Sequence, residues 1–446
     1  MSIEADARQA SFLTGPIWPA LIRLSAPNVI ALFIQSSVSV VEAWFLGAEG
    51  KIALAGVALV FPVLMLNMML SAGAIGGAIS GATARVMGAG KQDAAEAILR
   101  TAIVISLGGA LIFAIAMGAW DRAIFEALGG SPEVVDAATE YSRVLFPGVL
   151  ALWLYNMLSS VVRGSGDMKR PAVAMMIVAS THAILAAWLV GGDVMPHMQG
   201  AAWAFVGSFT VGSLVMLGVV LRPDADVPLR IGAVPLRVLV PILQKGMLAS
   251  AQSVATMSNI MLATALMAPL GAAYIAGYGI GARLEMMVIP IIFGTGAASI
   301  AMVGANVGAG QRARAVAIAW RGAAMAGIIV GSIGLIVAVF PELWAGFFTE
   351  SEAVREACKT YLRIVTPFYF FFAVGLNVYF ASQGLNTLLI PVLGSWVRLA
   401  IMAVGVGLLA LVDLSEDPQW VFGMVAVSMV GYGLFNIITL RLKSWY

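Results

Sequence analysis

Apolar residues run through this chain in long stretches, separated by short polar segments that hold most of its charge. A helix that crosses the hydrocarbon of a bilayer needs about 20 mostly apolar residues. The pattern predicts twelve such helices, over residues 20–47, 53–82, 97–120, 137–162, 171–191 and 200–221, then 238–267, 273–303, 316–341, 357–382, 389–411 and 420–440. The longest polar connector runs from Arg222 to Arg237 and contains Pro223, Pro228 and Pro235. It reads as an ordered or extended linker, 223–237, between a first bundle, 1–222, and a second, 238–446.

The two halves share landmarks. Tyr141-x-Arg143-x-x-x-Pro147 returns 220 residues later as Tyr361-x-Arg363-x-x-x-Pro367. At the same offset Gly76 returns as Gly296, Gly88-Ala89-Gly90 as Gly308-Ala309-Gly310, Gly164 as Gly384, and Pro171 as Pro391. A single offset for all of them implies two copies of one six-helix unit, each starting and ending on the same side of the membrane. The expected fold class is therefore an all-α integral membrane protein, with twelve transmembrane helices in two six-helix bundles related by a pseudo-twofold along the membrane normal. Such doubled bundles are the usual build of a secondary transporter with a site between the halves.

Composition sharpens this picture. Hydrophobic residues make up 61% of the chain, charged residues only 11%, and the mean hydropathy is +0.96; soluble domains carry about 25% charged residues. Arg85, Lys91, Lys169, Arg170, Arg222, Arg230, Arg237, Arg312, Arg314, Arg441 and Lys443 fall in the loops of one side. The other side is dominated by Glu49, Asp121, Glu126, Asp193, Glu350, Glu352, Glu356, Asp413, Glu416 and Asp417. Basic loops stay inside, so both termini are expected in the cytoplasm of a multi-pass protein of the inner (plasma) membrane. The polar stretch before Gly15 has no leader pattern, and the first spanning helix is expected to serve for targeting.

Several function classes drop out. No basic tract suggests nucleic acid. The single cysteine, Cys358, excludes an intramolecular disulfide and a CxxC site. There is no HExxH or GxSxG, and Gly88-Ala-Gly-Lys91 is not a phosphate loop, so neither an enzyme nor a cofactor is expected.

Ionisable residues inside spanning helices usually face a cavity and serve function. Gln35, Ser39 and Glu42 follow one another at helical spacing and form a polar stripe on the first helix. A carboxyl withdrawn from water favours its neutral form, so Glu42 is a candidate proton carrier; pairing with an Asn or Arg across the bundle is the plainer reading. Tyr278 and Glu285 share a face of the eighth helix. Glu285 is a candidate to attract a cationic substrate or relay a proton, against a structural salt bridge to Arg398. The 24 methionines, with aromatics, suit adaptable apolar walls. Candidate substrate contacts are Asn67, Trp153, Tyr155, Asn156, Gln252 and Met257, each of which also fits simple packing. His197 lies in an outer turn. The doubled Tyr-x-Arg motifs read as elements that hold each bundle together.

These residues, in order, resemble the multidrug and toxic compound extrusion (MATE) family. The resemblance rests on Pro27, Val41-Glu42-x-x-x-x-Gly47, Gly88-Ala89-Gly90, Arg163-Gly164-Ser165-Gly166-Asp167 and Pro171. In the second half it rests on Ala276-Gly277-Tyr278, Arg283-Leu284-Glu285, Pro290, Gly308-Ala309-Gly310, Gln383-Gly384 and Pro391. It implies a monomer with a central cavity that exports organic, often cationic, compounds against inward flow of H⁺ or Na⁺. It also implies that His182 of the fifth helix is the partner of Glu42, a pair able to exchange one proton. The chain departs from the family where Glu42 replaces an aspartate, His182 and Ala186 replace an asparagine and an aspartate, and Phe205 replaces a threonine. The acid some members carry in helix seven is also missing, leaving Gln252, Thr256 and Asn259. A sodium site built from several hard oxygens looks dismantled, so H⁺ is the expected coupling ion. Sodium coupling, or a flippase-like transporter of a lipid-linked or metabolite cargo, is the alternative.

Overall fold

The computed structural model describes residues 12–48, 50–267, 269–412, 414 and 416–442. Glu49, Asp413 and Lys443 of the loop-charge pattern, and the side chain of Ser39, lie outside the described residues. Among the described residues the chain folds into twelve long helical rods: α1 Ile17–Ala48, α2 Lys51–Gly88, α3 Gln92–Ala127, α4 Pro132–Gly164, α5 Lys169–Leu189, α6 His197–Val220, α7 Leu236–Ala265, α8 Ala272–Gly308, α9 Arg312–Val339, α10 Glu352–Leu385, α11 Leu389–Leu411 and α12 Pro418–Arg441. Among the described residues, eleven of these are long and apolar enough to cross a membrane. The exception is α7, 30 residues long, whose middle carries Gln244, Lys245, Gln252, Ser253 and Asn259. Membrane spanning leaves little choice of backbone, since every N–H and C=O in hydrocarbon must be paired within the segment.

Several rods outrun the predicted spans. The apolar pattern marks only the part that suits hydrocarbon, whereas α3 continues to Ala127 and α10 begins at Glu352. A short helix, Glu342–Phe348, lies in the α9–α10 connection and was too brief to show in the pattern. The doubled Tyr-x-Arg-x-x-x-Pro motif also has a backbone meaning. Its prolines fall in single 3₁₀ turns, Pro147–Val149 and Thr366–Phe368, that interrupt α4 and α10 at matching places. Proline has no N–H to give the preceding turn, so the helix tightens and restarts there.

The repeat extends to individual hydrogen bonds. Gly90 and Gly310 adopt left-handed backbone, φ 71° and 76°. Beyond them Lys91 N donates to Val86 O at 2.9 Å and Gln311 N to Asn306 O at 2.8 Å, closing the same Schellman turn at the ends of α2 and α8. After α4 the left-handed residue is Gly166; in the matching turn after α10 it is Asn386, φ 65°, a side chain that tolerates this region. Helix crossings match too. A Cβ on Gly164 would lie 2.6 Å from Ser80 O, and one on Gly384 would lie 2.8 Å from Ile300 O, again 220 residues on. The second rod of each half is irregular at one depth, through a π segment at Met69–Ile75 in α2 and Pro290 in α8.

The chain divides into two compact units, Met1–Thr14 with Ile30–Met247, and Gly15–Val29 with Leu248–Tyr446. In the first, α4 packs against α2, α3 and α6; in the second, α10 packs against α8, α9 and α12. The first turns of α1 belong to the second unit, where Val29 lies against Gly294 of α8. The first turns of α7 belong to the first unit. The polar connector has no regular structure and is strapped along α3. Gln92 Nε2 donates to Asp226 O (3.2 Å), Arg230 pairs with Glu96 (3.2 Å), and Arg100 Nε donates to Ala233 O (3.1 Å).

Candidate functional site

Glu42 sits in the last third of α1 and is 5% exposed. Its neighbours Val41 and Phe45 pack on Ala186 and Leu189 of α5 and Ala204 of α6, which turns the α1 stripe into the first bundle. The group that meets Glu42 is Tyr141 of α4, whose hydroxyl donates to Oε1 at 2.6 Å. Among the described residues no cation pairs with this carboxyl. Tyr141 is 1% exposed, so a carboxyl and a phenol form an isolated polar pair within apolar surroundings.

His182 is placed differently from the pairing inferred for it. It is fully buried in α5, its ring edge-on to Phe205 of α6 with centroids 6.4 Å apart. Phe205 stacks in turn on Phe209 at 4.7 Å. The ring nitrogens make no hydrogen bond of normal geometry, and no bond joins His182 to Glu42. Gln35 is half-buried, two turns before Glu42 on the same helix.

The candidate substrate contacts of the first half are buried on α4 and α2: Asn67, Trp153 and Asn156 form a seam between these helices, while Tyr155 faces α5 and α6. Trp153 Nε1 donates to Asn67 Oδ1 at 2.7 Å. Asn156 Nδ2 donates to Ser71 Oγ at 2.9 Å, inside the π segment. Tyr155 donates its hydroxyl to Pro171 O at 3.1 Å. All four residues are at most 4% exposed, and their polar groups are taken up by the bundle itself. The Asn67 Nδ2 group is the exception, buried and without a partner.

The second unit holds the other deep acid. Glu285 of α8 lies 3.8 Å from Arg398 of α11, and Arg398 lies over the Phe372 ring at 4.9 Å. Tyr278, one face along α8, packs edge-on against Tyr361 at 5.4 Å, and Tyr361 against Phe422 at the same distance. Glu285 lies within electrostatic reach of Tyr278, Tyr361 and Tyr369. The last two hydroxyls are buried without a hydrogen bond of normal geometry. On α7, Gln252 donates to Thr256 at 3.0 Å and is 6% exposed, while Met257 is half-buried. His197 bonds Asp193 at 2.7 Å at the start of α6.

Tyr141 thus bonds the deep acid of its half directly, whereas Tyr361 packs on Tyr278, which shares a helix face with Glu285; the two acids occupy unrelated positions of the repeat. Sequence reasoning gave Tyr141 and Tyr361 only a bundle-holding role. The available signal was their doubling; what it lacked was which helix each tyrosine faces.

Chemically the two sites differ. Glu42 has a neutral hydrogen-bond donor and no counter-ion among the described residues, so gaining or losing a proton changes the charge of its surroundings outright. Glu285 has a cation at 3.8 Å that answers its charge.

Comparison with known proteins agrees with this architecture. The MatE family model matches residues 27–188 and 249–409, one match in each half. A probable multidrug resistance protein NorM of Thermotoga maritima is 24% identical over 85% of this chain and 82% of its own length. The FAD transporter of Shewanella oneidensis is 24% identical over 82% of this chain and 83% of its own. A crystal structure described as MATE in the bent conformation superposes with a TM-score of 0.89 at 22% identity, covering 98% of this chain and 97% of that one.

Proposed function

We propose, because this chain belongs to the MatE family and is a membrane transporter of the multidrug and toxic compound extrusion type, that it exports organic, cationic and amphipathic compounds in exchange for H⁺ by alternating access. The observation that carries the proton is Glu42, a carboxyl buried in a spanning helix with one hydrogen bond from a neutral phenol. Ionised, it is an uncompensated charge in apolar surroundings; a proton removes that charge. Tyr141 can donate to either form, so the pair survives both halves of a cycle.

In this reading outside protons load Glu42 and disfavour substrate in the outward state. Substrate leaves, the protonated protein turns inward, releases its proton and accepts new substrate. Coupling of this kind requires that proton and substrate have opposing affinities for one state. The positions where the family carries sodium-type oxygens hold His182, Ala186 and Phe205 here, which supports H⁺ over Na⁺. The loop charges support an orientation in the inner membrane with both termini in the cytoplasm, and the family resemblance supports a monomer. A metabolite cargo is the second reading, favoured by the relative described as an FAD transporter.

The test is uptake of a fluorescent organic cation into inside-out vesicles, driven separately by a pH gradient and a Na⁺ gradient, with Glu42→Gln beside the native protein. Uptake driven only by the pH gradient and lost in the variant is expected. Uptake driven by Na⁺, or untouched by the variant, would overturn the proton mechanism. Vesicles that take up FAD and not the organic cation would move the cargo to the second reading.

A further inference from the structure

The repeat aligns α9 and the short helix Glu342–Phe348 with the single rod α3: Arg312 corresponds to Gln92, and 342–348 to 122–128. In the first unit the rod runs unbroken to Ala127. In the second, Pro341 stands where α3 has Asp121, and Phe340 before it leaves helical backbone at φ −120°, ψ 60°. Proline disfavours the helical region for its predecessor, so the last two turns become a separate helix.

The surface changes with the backbone. The last turns of α3 carry Arg122 and Glu126, an exposed ion pair at 3.6 Å, with Ala123 and Ala127 exposed beside it. In the second unit Gly346 takes the place of Glu126, and Leu343 and Phe347 take those of the two alanines. Leu343 is 73% and Phe347 85% exposed. They extend the exposed apolar flank of α9, formed by Leu335, Ile336, Val339 and Phe340. The rest of the short helix is fastened to its own unit. Ala345 is buried, and Trp344 Nε1 donates to Ile280 O of α8 at 2.9 Å. Phe348 lies under the Arg283 guanidinium of α8 at 5.5 Å. Glu342 pairs with Lys359 of α10 at 2.6 Å and stands 3.6 Å from Arg355.

We propose that the short helix is an in-plane anchor in the outer leaflet, with Leu343 and Phe347 among the upper acyl chains and Glu342, Arg355 and Lys359 at headgroup level. Phospholipid is the partner because this apolar face continues the flank of a spanning helix without a gap. A row of charges borders it, and three of its seven residues are aromatic, the composition that membrane–water interfaces favour. Ile280 and Arg283 lie between Tyr278 and Glu285, so the anchor grips α8 at the segment holding the second deep acid and sets its depth. The choice of leaflet rests on the orientation proposed above; the seat at an interface does not.

The test uses the full-length protein in phosphatidylethanolamine–phosphatidylglycerol vesicles. Leu343→Cys, Phe347→Cys, Ile336→Cys and Glu126→Cys are each labelled with a nitroxide, the buried Cys358 staying in place. Collision with oxygen, which concentrates in hydrocarbon, is compared with collision with a water-soluble nickel chelate. The labels replacing Leu343 and Phe347 should give an oxygen-to-nickel ratio near that of Ile336 and several-fold above that of Glu126. The thermal midpoint of each variant controls for folding. The proposal fails if the two labels are as open to the chelate as the Glu126 label. It also fails if they are shielded from both probes, which would mean that protein covers this face. Glu350→Cys, two residues past the helix, should react with a membrane-impermeant maleimide in intact cells. Reaction only in inside-out vesicles would overturn the outer placement and the proposed orientation together, separately from the spin-label result.

Discussion

The Tyr141 hydroxyl donates to Glu42 Oε1 at 2.6 Å, tying α4 to α1 inside the first bundle. The residues lie 99 positions apart and are both nearly fully buried. This relationship joins a motif that repeats in the sequence to a carboxylate that does not.

Tyr141→Phe removes the donor and leaves the carboxyl buried alone. A lost hydrogen bond to a charged group costs about 1.5–3 kcal/mol, so the thermal midpoint of the purified protein should fall clearly. Glu42→Gln keeps an acceptor of the same shape, so its midpoint should stay close to native while proton-driven uptake is lost. Equal destabilisation by the two variants would mean that the hydrogen bond contributes nothing.

Trp153→Phe tests the seam between α2 and α4. It deprives Asn67 Oδ1 of its donor while Asn67 Nδ2 is already unpaired. The expected cost is about 1–3 kcal/mol for the unsatisfied group, and Asn67→Leu in the same background should recover part of it, because removing both partners is milder than removing one. A double-mutant cycle on chemical or thermal unfolding reads the coupling directly. Additive effects would rule the contact out as a source of stability.

Gly164→Ala and Gly384→Ala should both destabilise, by about 1–3 kcal/mol, because each new Cβ would fall within 2.8 Å of a backbone carbonyl. Gly218→Ala is the control. Nothing lies within 4 Å of its Cβ position in α6, and alanine is the better helix former by about 1 kcal/mol. Melting curves of the three variants in one detergent give the comparison; the reverse order would contradict the close crossings.

Arg398→Gln should be more damaging than the double change Glu285→Gln with Arg398→Gln. The single variant leaves the half-buried Glu285 without its cation at 3.8 Å. Breaking a fully buried pair from one side costs about 3 kcal/mol, so this half-buried one should cost less, whereas replacing both partners is often near neutral. Unfolding measurements on the single and double variants would show whether the ranking holds.

Much of the fold was legible in the sequence because hydrocarbon is an undemanding reader. Length and apolar content alone select spanning helices, and a fixed offset between glycines and prolines is visible without coordinates. Gly90 and Gly310, or Pro147 and Pro367, act through their own backbone dihedrals, which are local properties. Their meaning therefore travels with the residue.

Partnership is not local, and there the tertiary structure decided. Periodicity put Glu42 on a polar stripe, yet only packing shows that Tyr141 reaches it while His182 turns to Phe205. Asn67, Trp153 and Asn156 looked like groups for a ligand; the structure pairs Trp153 with Asn67 and Asn156 with Ser71. The opening turns of α1 and α7 belong to the units opposite those their sequence positions suggest. A polar atom buried in a bundle takes whichever partner the helix crossings bring within about 3 Å. Those crossings are set by side-chain volumes summed over whole helices, so no motif of one segment contains the answer. The sequence by itself determined a doubled, twelve-helix membrane protein and the residues able to carry charge inside it; the packing of those helices determined which of them meet.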